Sequence, residues 1–225
     1  MLLSLLRSGG DIDITQIIIQ IFACAFVVFC TAPVHEFAHA FIAYKLGDGT
    51  AKLKGRLTIN PFAHINWFGA LMILLVGFGY AEPVPVNVRN VKMKNKKVGM
   101  ALIALAGPLS NLLMAFISML FMVLTVKFFD MDNLFAFSAY LFFQIVTLIN
   151  INLAVFNLIP VPPLDGSRIL FAVLPTKYYF TIMKYERYIS LAIMLLLFTG
   201  ILSEPLSMLT AKVYEFFASI LINIL

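Results

Sequence analysis

The segment from Ile14 to Leu46 reads ITQIIIQIFACAFVVFCTAPVHEFAHAFIAYKL, and it is longer than the roughly 20 apolar residues that a helix needs to cross a bilayer. We expect one long membrane helix here, kinked near Pro33, because proline lacks a backbone N–H and frees a carbonyl of the preceding turn. The sequence Gly47-Asp48-Gly49 then ends the helix. Ionisable side chains are costly in lipid, so those placed inside this run indicate function.

The ionisable side chains form the pattern His35-Glu36-Phe37-Ala38-His39. Residues four apart lie on one face of a helix, so both imidazoles can reach one metal ion while Glu36 projects beside them. This arrangement predicts a zinc site with an adjacent base. The alternative is that the two histidines only bond to neighbouring helices, but two of the three histidines of the chain fall in this one pattern.

The composition predicts an all-α polytopic membrane protein, since 62% of the residues are hydrophobic and only 12% are charged. The mean hydropathy is +0.98. We expect a single integral-membrane domain over residues 1–225, with a core at about 15–175 and C-terminal membrane segments at about 185–225. The first span should be retained as an anchor. The net charge of +5 lies in short loops beside apolar spans, so we predict no nucleic-acid partner.

The region after the first helix predicts a small membrane-associated element. Basic and apolar residues alternate in 50–59, which favours a strand that carries Lys52, Lys54 and Arg56 and offers a substrate-binding edge. The prolines of 80–87 favour an extended segment that pairs with this strand as a small sheet over the site. The apolar run 67–78 is too short for a full span and fits a re-entrant or partly buried element better.

The remaining apolar runs predict further helices, which give about five to six membrane segments in total. The expected ranges are 98–129, 134–158, a short helix 166–174, and 188–202. The last stretch, 206–225, is either a final span or an interfacial helix.

Orientation follows from the basic residues, which are enriched on the cytoplasmic side of membrane proteins. Placing segments 45–56, 89–97 and 168–187 there accounts for most of the 16 Lys and Arg residues. The N-terminus then lies outside a cell membrane, and the histidine pair lies nearer the cytoplasm.

A catalytic zinc needs three protein ligands, so a third must come from elsewhere in the chain. Asp165 follows a proline break at the end of an apolar helix and could turn back toward the histidines, or it could simply cap the next helix. Asn157 could donate a hydrogen bond to an oxyanion, or it could join membrane helices.

Two further polar residues are candidates for supporting the site. Asn111 ends the small-residue stretch Ala106-Gly-Pro-Leu-Ser-Asn111, which we interpret mainly as a close packing face. His64 follows Asn60-Pro61 and is either a donor behind the metal ligands or a gate residue, or an ordinary loop histidine.

Three motifs in order resemble the site-2 protease family of intramembrane zinc metalloproteases. They are the HEFAH pattern, Ala106–Asn111, and the stretch from Asn157 to Gly166, which reads NLIPVPPLDG. The resemblance covers about residues 15–175 and is greatest to the compact prokaryotic members without PDZ or CBS domains. Much of the family has glycine where this chain has Ala38.

The resemblance implies one zinc ion held by His35, His39 and Asp165, with Glu36 as the catalytic base and Asn157 as the oxyanion donor. The implied activity is hydrolysis of peptide bonds in or near transmembrane segments of membrane proteins. Two other functions remain open from the sequence: a non-catalytic relative that binds membrane helices, and a metal-dependent transporter. The sequence does not give the substrate or the oligomeric state.

Overall fold

The computed structural model describes residues 14–76, 82–175, 181–182 and 184–224 of the 225-residue chain. Within these ranges the regular structure is helical. The helices are α1 (Ile14–Phe26), α2 (Ala32–Lys45), α3 (Thr50–Leu53), α4 (Trp67–Val76), α5 (Lys96–Phe128), α6 (Leu134–Asn157), α7 (Asp165–Val173), α8 (Glu186–Thr199) and α9 (Ser203–Ile224).

The first membrane helix is continuous from α1 to α2, but one part of it is wider. Val27–Thr31 forms a π-helix, in which the N–H of Ala32 bonds to the carbonyl of Val27. The hydroxyl of Thr31 donates to the same carbonyl at 2.9 Å. Because Pro33 has no N–H to give, the helix widens immediately before it, and such insertions are frequent at functional sites. The irregularity near Pro33 thus takes the form of a widened turn, and the predicted kink stays a prediction.

Four helical stretches in the described part of the chain are long and apolar enough to cross a membrane: Ile14–Lys45, Lys96–Phe128, Leu134–Asn157 and Ser203–Ile224. Many large apolar side chains on these helices remain exposed, as the outer surface of a membrane protein requires. The prediction of five to six membrane segments is not supported. The run predicted at 188–202 forms α8, which has only 14 residues and is too short for a full span.

The core of the bundle is the antiparallel pair α5 and α6, against which the other long helices pack. The side chains of Met119 and Met122 on α5 meet Leu221 of α9. The hydroxyl of Thr210 on α9 donates to the side-chain oxygen of Asn152 on α6 at 2.6 Å. The last stretch was predicted to be either a final span or an interfacial helix. With 22 residues, α9 is long enough for a span.

The predicted small β-sheet is wrong, since no strand occurs in the described residues. Residues 50–53 form α3, and Gly55 ends the following turn with a φ of +69°. The alternation that suggested a strand does not mark a buried face, because Leu53 is 89% exposed. Ala51 is the fully buried residue of this turn. The substrate-binding strand proposed for Lys52, Lys54 and Arg56 is therefore absent.

The structure also bears on the two expectations for the neighbouring segments 80–87 and 67–78. Residues 82–87 form neither helix nor strand, and Asn87 has extended backbone angles; residues 80 and 81 of the predicted extended segment lie outside the described residues. The short apolar run forms α4, which is too short to span, and positions 77 and 78 likewise fall outside the described ranges. Ile73 of α4 is buried against Val28 of the first helix and Leu153 of α6. This packing places α4 beside the histidine pair.

Candidate metal centre

Three potential ligand atoms come together where α2, α5 and the start of α7 meet. The Nε2 atoms of His35 and His39 are 3.0 Å apart. They lie 3.4 Å and 3.2 Å from the same oxygen of Asp165, Oδ2. The three side chains are 15% exposed or less. They form a group of the kind that could hold a metal ion.

These distances suit a zinc ion. Ligands about 2.0–2.1 Å from a tetrahedral zinc are separated from one another by about 3.3 Å. The Nδ1 atom of His39 lies 2.7 Å from the carbonyl oxygen of Ile103. That carbonyl can only accept, so Nδ1 carries the hydrogen and Nε2 presents its lone pair to the centre. The tautomer that a metal ligand requires is thus set by the backbone of α5.

Close packing of α5 holds the two imidazoles in place. A Cβ atom added at Gly107 would lie 2.6 Å from Nε2 of His35 and even nearer to Nε2 of His39. Only a residue without a side chain allows the α5 backbone to approach the ligand atoms this closely. The small-residue stretch therefore packs directly on the histidines, which the sequence did not indicate.

Asp165 reaches the histidines because of the turn that precedes it. The N-cap of α7 is Leu164, and Asp165 is the first helical residue, so the alternative in which Asp165 only caps the helix is not observed. A Cβ atom at Gly166 would lie 2.5 Å from the carbonyl oxygen of Ile159. The missing side chain lets the start of α7 approach the turn that follows α6, and Asp165 lies beside the histidines of α2.

Glu36 lies beside the centre and is 7% exposed. Its Oε2 atom accepts a hydrogen bond of 3.0 Å from the backbone N–H of Val84, in the irregular segment 82–87. Glu36 and the three candidate ligands line one cavity of about 370 Å³. A buried carboxylate next to a metal-binding group is the arrangement needed to move protons at the centre.

Asn157 also lines this cavity, from the last residue of α6. Its side-chain nitrogen donates to the carbonyl of Leu153, at 3.0 Å, within the same helix. An amide nitrogen carries two hydrogens, so this bond leaves one of them for another acceptor.

The sequence profile of Peptidase family M50 matches residues 21–199. The chain belongs to this family. This is the family of the site-2 proteases, so the resemblance drawn from the three motifs is confirmed.

Several similar proteins carry related names. "Putative zinc metalloprotease YwhC" of Bacillus subtilis is 48% identical over 63% of this chain and 64% of its own length. "Putative zinc metalloprotease Rip2" of Mycolicibacterium smegmatis is 31% identical over 59% of this chain. "Zinc metalloprotease MJ0392" of Methanocaldococcus jannaschii is 28% identical over 86% of this chain. The matches cover 49% of Rip2 and 47% of MJ0392. No solved structure shows significant similarity to this chain.

The two predicted supporting residues of this M50 chain both line the cavity. His64 is 1% exposed, and its Nε2 lies 2.8 Å from the carbonyl oxygen of Thr58, while its Nδ1 has no partner among the described residues. Asn111 is 2% exposed, and in the described part of the chain its Oδ1 is also without a partner. Both side chains are buried at the cavity wall, and their roles stay predictions.

The basic residues of the predicted strand lie apart from the centre. Lys52 and Lys54 are exposed on the surface of the α3 turn, where Lys52 Nζ donates to the hydroxyl of Tyr44 at 3.2 Å. Arg56 pairs with Glu82 at 2.8 Å and also donates to the carbonyl of Ala63. These cations are not among the described residues that line the cavity.

Sequence reasoning missed two backbone groups and one acid. The carbonyl of Ile103 and the N–H of Val84 contact His39 and Glu36, but backbone groups give no signal in a sequence. From the sequence, Asp48 is only part of a helix stop. In the structure it is fully buried and accepts four hydrogen bonds. The two glycines around Asp48 suffice to end a helix, so the presence of an acidic residue between them was a signal of a further role.

Proposed function

We propose that this chain is a zinc-dependent intramembrane endopeptidase that hydrolyses peptide bonds in or near transmembrane segments of other membrane proteins. The observation that carries the proposal is the meeting of His35, His39 and Asp165, within 3.4 Å of one another, beside the buried carboxylate of Glu36. Membership of Peptidase family M50 supports the same activity.

The depth of the centre supports action within the membrane. From Phe37 to Leu46 the helix rises nine residues at about 1.5 Å each, which puts the centre about 13 Å from that end. This lies within a hydrocarbon core of about 30 Å if the end of α2 is at the interface. By the distribution of basic residues, we propose that this end faces the cytoplasm.

The proposed ligands are His35, His39 and Asp165. When bound there, zinc would supply Lewis acidity that lowers the pKa of a water and polarises a peptide carbonyl. Glu36 takes a proton from the attacking water and returns it to the departing amine. Asn157 donates its free amide hydrogen to the oxygen of the carbonyl under attack. A helical substrate bonds its carbonyls internally, so it must unwind locally before it is cut.

The test removes the proposed base and keeps the ligands. Glu36→Gln preserves size and leaves the three ligand side chains untouched, so zinc content should equal that of the wild type. Glu215→Gln is the matched control, because this exposed glutamate lies on α9 and outside the cavity. Purified proteins are assayed for zinc, and cells with each variant are compared for membrane proteins that accumulate uncut.

We expect uncut membrane proteins to accumulate with Glu36→Gln and not with Glu215→Gln. Candidates identified in this way are then incubated with the purified proteins in lipid vesicles. Cleavage by Glu36→Gln at the wild-type rate would refute the proposed role of Glu36. Zinc-loaded wild type that binds these proteins without cutting them would instead favour a non-catalytic binder of membrane helices.

A further inference from the structure

Residues 82–92 form a segment, here called the strap, that crosses the end of α2. Hydrogen bonds hold it at several points along its length. The N–H of Glu82 donates to the carbonyl of His64 at 2.8 Å, and that of Lys92 donates to the carbonyl of Leu46 at 2.8 Å. Between them, the N–H of Asn87 donates to Oδ2 of Asp48 at 2.6 Å. The strap is therefore attached to the α2 end and to the loop before α4.

Asp48 is the main anchor of the strap. Its other oxygen, Oδ1, accepts from the side-chain nitrogen of Asn90 at 3.1 Å. The same oxygen accepts from the backbone N–H of Thr50 at 3.0 Å and from the Thr50 hydroxyl. Hydrogen bonds to a carboxylate are stronger than those between neutral groups. One buried carboxylate thus joins the strap to the start of α3.

The strap has one backbone N–H between two prolines, and it lies beside the centre. Pro83 and Pro85 have none, so Val84 is the donor of this stretch, and it donates to Oε2 of Glu36 at 3.0 Å. Val84 is 6% exposed and its side chain packs against Ala40 and Ala51. Its N–H is therefore directed to α2, and its side chain packs between α2 and α3.

We propose that the backbone N–H of Val84 is a positioning group for Glu36 in the reaction, held in place by the anchored strap. The inference rests on the proposed function, since it concerns how the base of that reaction is oriented. A glutamate side chain has three rotatable bonds, and a fixed donor on Oε2 restricts them. The other oxygen, Oε1, is then the one left to take the proton.

This arrangement requires no reorganisation when the reaction begins. The attachments on both sides of Val84 hold its N–H before a substrate arrives, and a preorganised donor is worth more than one that must be recruited. An alternative is that Val84 offers its N–H to the backbone of an extended substrate. The two possibilities differ in the kinetic constant that Val84 controls.

The experiment removes the N–H and compares the result with a variant that keeps it. Val84→Pro removes the donor, and Val84→Ala retains the donor while losing most of the side chain. Replacing Val84 by its α-hydroxy acid also removes the N–H, while keeping the valine side chain, so it serves if Val84→Pro fails to fold. All are purified, loaded with zinc, and assayed on a membrane protein shown to be cut by the wild type.

We expect kcat of Val84→Pro and of the ester variant to fall about 10- to 100-fold below that of Val84→Ala. KM should change less than about twofold, and zinc content should match that of the wild type. A raised KM with unchanged kcat would overturn the proposal in favour of substrate docking. Equal kcat with and without the N–H, or loss of zinc, would also overturn it.

A second measurement needs neither zinc nor activity. Within residues 83–85 the prolines leave a single exchangeable amide, so hydrogen exchange of this stretch reports on Val84 alone. We expect that amide to be protected in the wild type and in Glu215→Gln, and to exchange faster in Glu36→Ala. Unchanged protection in Glu36→Ala would contradict the inference. If the wild type itself cuts nothing, the proposed function fails, but the exchange result still tests the Val84–Glu36 bond.

Discussion

The contact between α5 and the two histidines gives a specific prediction for Gly107→Ala. The added Cβ would lie 2.6 Å from Nε2 of His35, whereas ordinary contact begins at 3.4 Å. One of the two groups must therefore move by about 0.8 Å, and His39 is crowded even more. Metal–ligand distances tolerate only about 0.2 Å of change. We expect the variant to lose much of its zinc affinity.

The expected loss is at least about 10-fold, which is the usual effect of disturbing groups that orient metal ligands. The effect should be local to the centre. Alanine favours a helix over glycine by about 1 kcal/mol, which offsets part of the crowding when zinc is absent. The zinc-free variant should therefore lose less stability than the zinc-bound one, so the increase in thermal midpoint on adding zinc should shrink.

The assay is zinc binding by purified protein in detergent, in competition with a chelator of known affinity. Gly49→Ala is the matched control, because no atom lies within 4 Å of a Cβ at that position and φ is −80°. Wild-type zinc affinity in Gly107→Ala would refute the argument that α5 packs on the ligand atoms. Equal losses in both glycine variants would show that the effect is not local.

Two further predictions concern groups on either side of the centre. Asn157→Ala removes the proposed oxyanion donor and should lower kcat by about 10²- to 10³-fold, as measured by single-turnover cleavage. Zinc content should be unchanged. An effect on KM alone would contradict this role. Burial would raise the pKa of Asp48, but hydrogen bonds from Thr50, Asn87 and Asn90 outweigh it and hold the pKa below the ordinary value. The thermal midpoint of the wild type should therefore exceed that of Asp48→Asn above about pH 4, and the difference should disappear as the pH falls through the lowered pKa; a difference that persists in acid would contradict this.

The helices were predictable because the bilayer imposes a simple rule on the sequence. In lipid the backbone must satisfy its own hydrogen bonds, so a long apolar run can hardly be anything but a helix. The predicted ranges 98–129 and 134–158 differ from α5 and α6 by two residues or fewer at each end. Asparagine side chains at positions 95 and 133 cap the two helices and set where they begin.

The loop between α2 and α4 was predicted poorly because the same rule does not apply there. Outside the hydrocarbon, alternating residues such as Lys52, Leu53 and Lys54 fit either a half-buried strand or an exposed helical turn. In the structure the N–H of Lys54 donates to the carbonyl of Thr50, four residues earlier, so these residues form a helical turn. The absence of a helix in the proline-containing segment after it could be predicted, because proline restricts φ in any environment.

In the candidate site, too, the features set by local sequence were predictable and those set by tertiary packing were not. The spacing of His35 and His39 is fixed by one helix, so their meeting follows from the sequence with no knowledge of the fold. The partners that orient them, the carbonyl of Ile103 and the backbone at Gly107, come from a helix more than 60 residues away. Those contacts depend on how α2 and α5 pack, which periodicity does not specify.

The pair Asp165-Gly166 illustrates why the sequence makes a third ligand plausible without choosing it. A carboxylate after a proline break is compatible with a metal ligand and with a helix cap, and the local pattern is the same for both. In the structure the cap position falls on Leu164, and Asp165 lies 3.2 Å from His39. The adjacent Gly166 allows a close approach to the turn after α6, because a side chain there would collide with the carbonyl of Ile159. The choice between ligand and cap therefore depends on how the start of α7 packs, which the local sequence pattern does not specify.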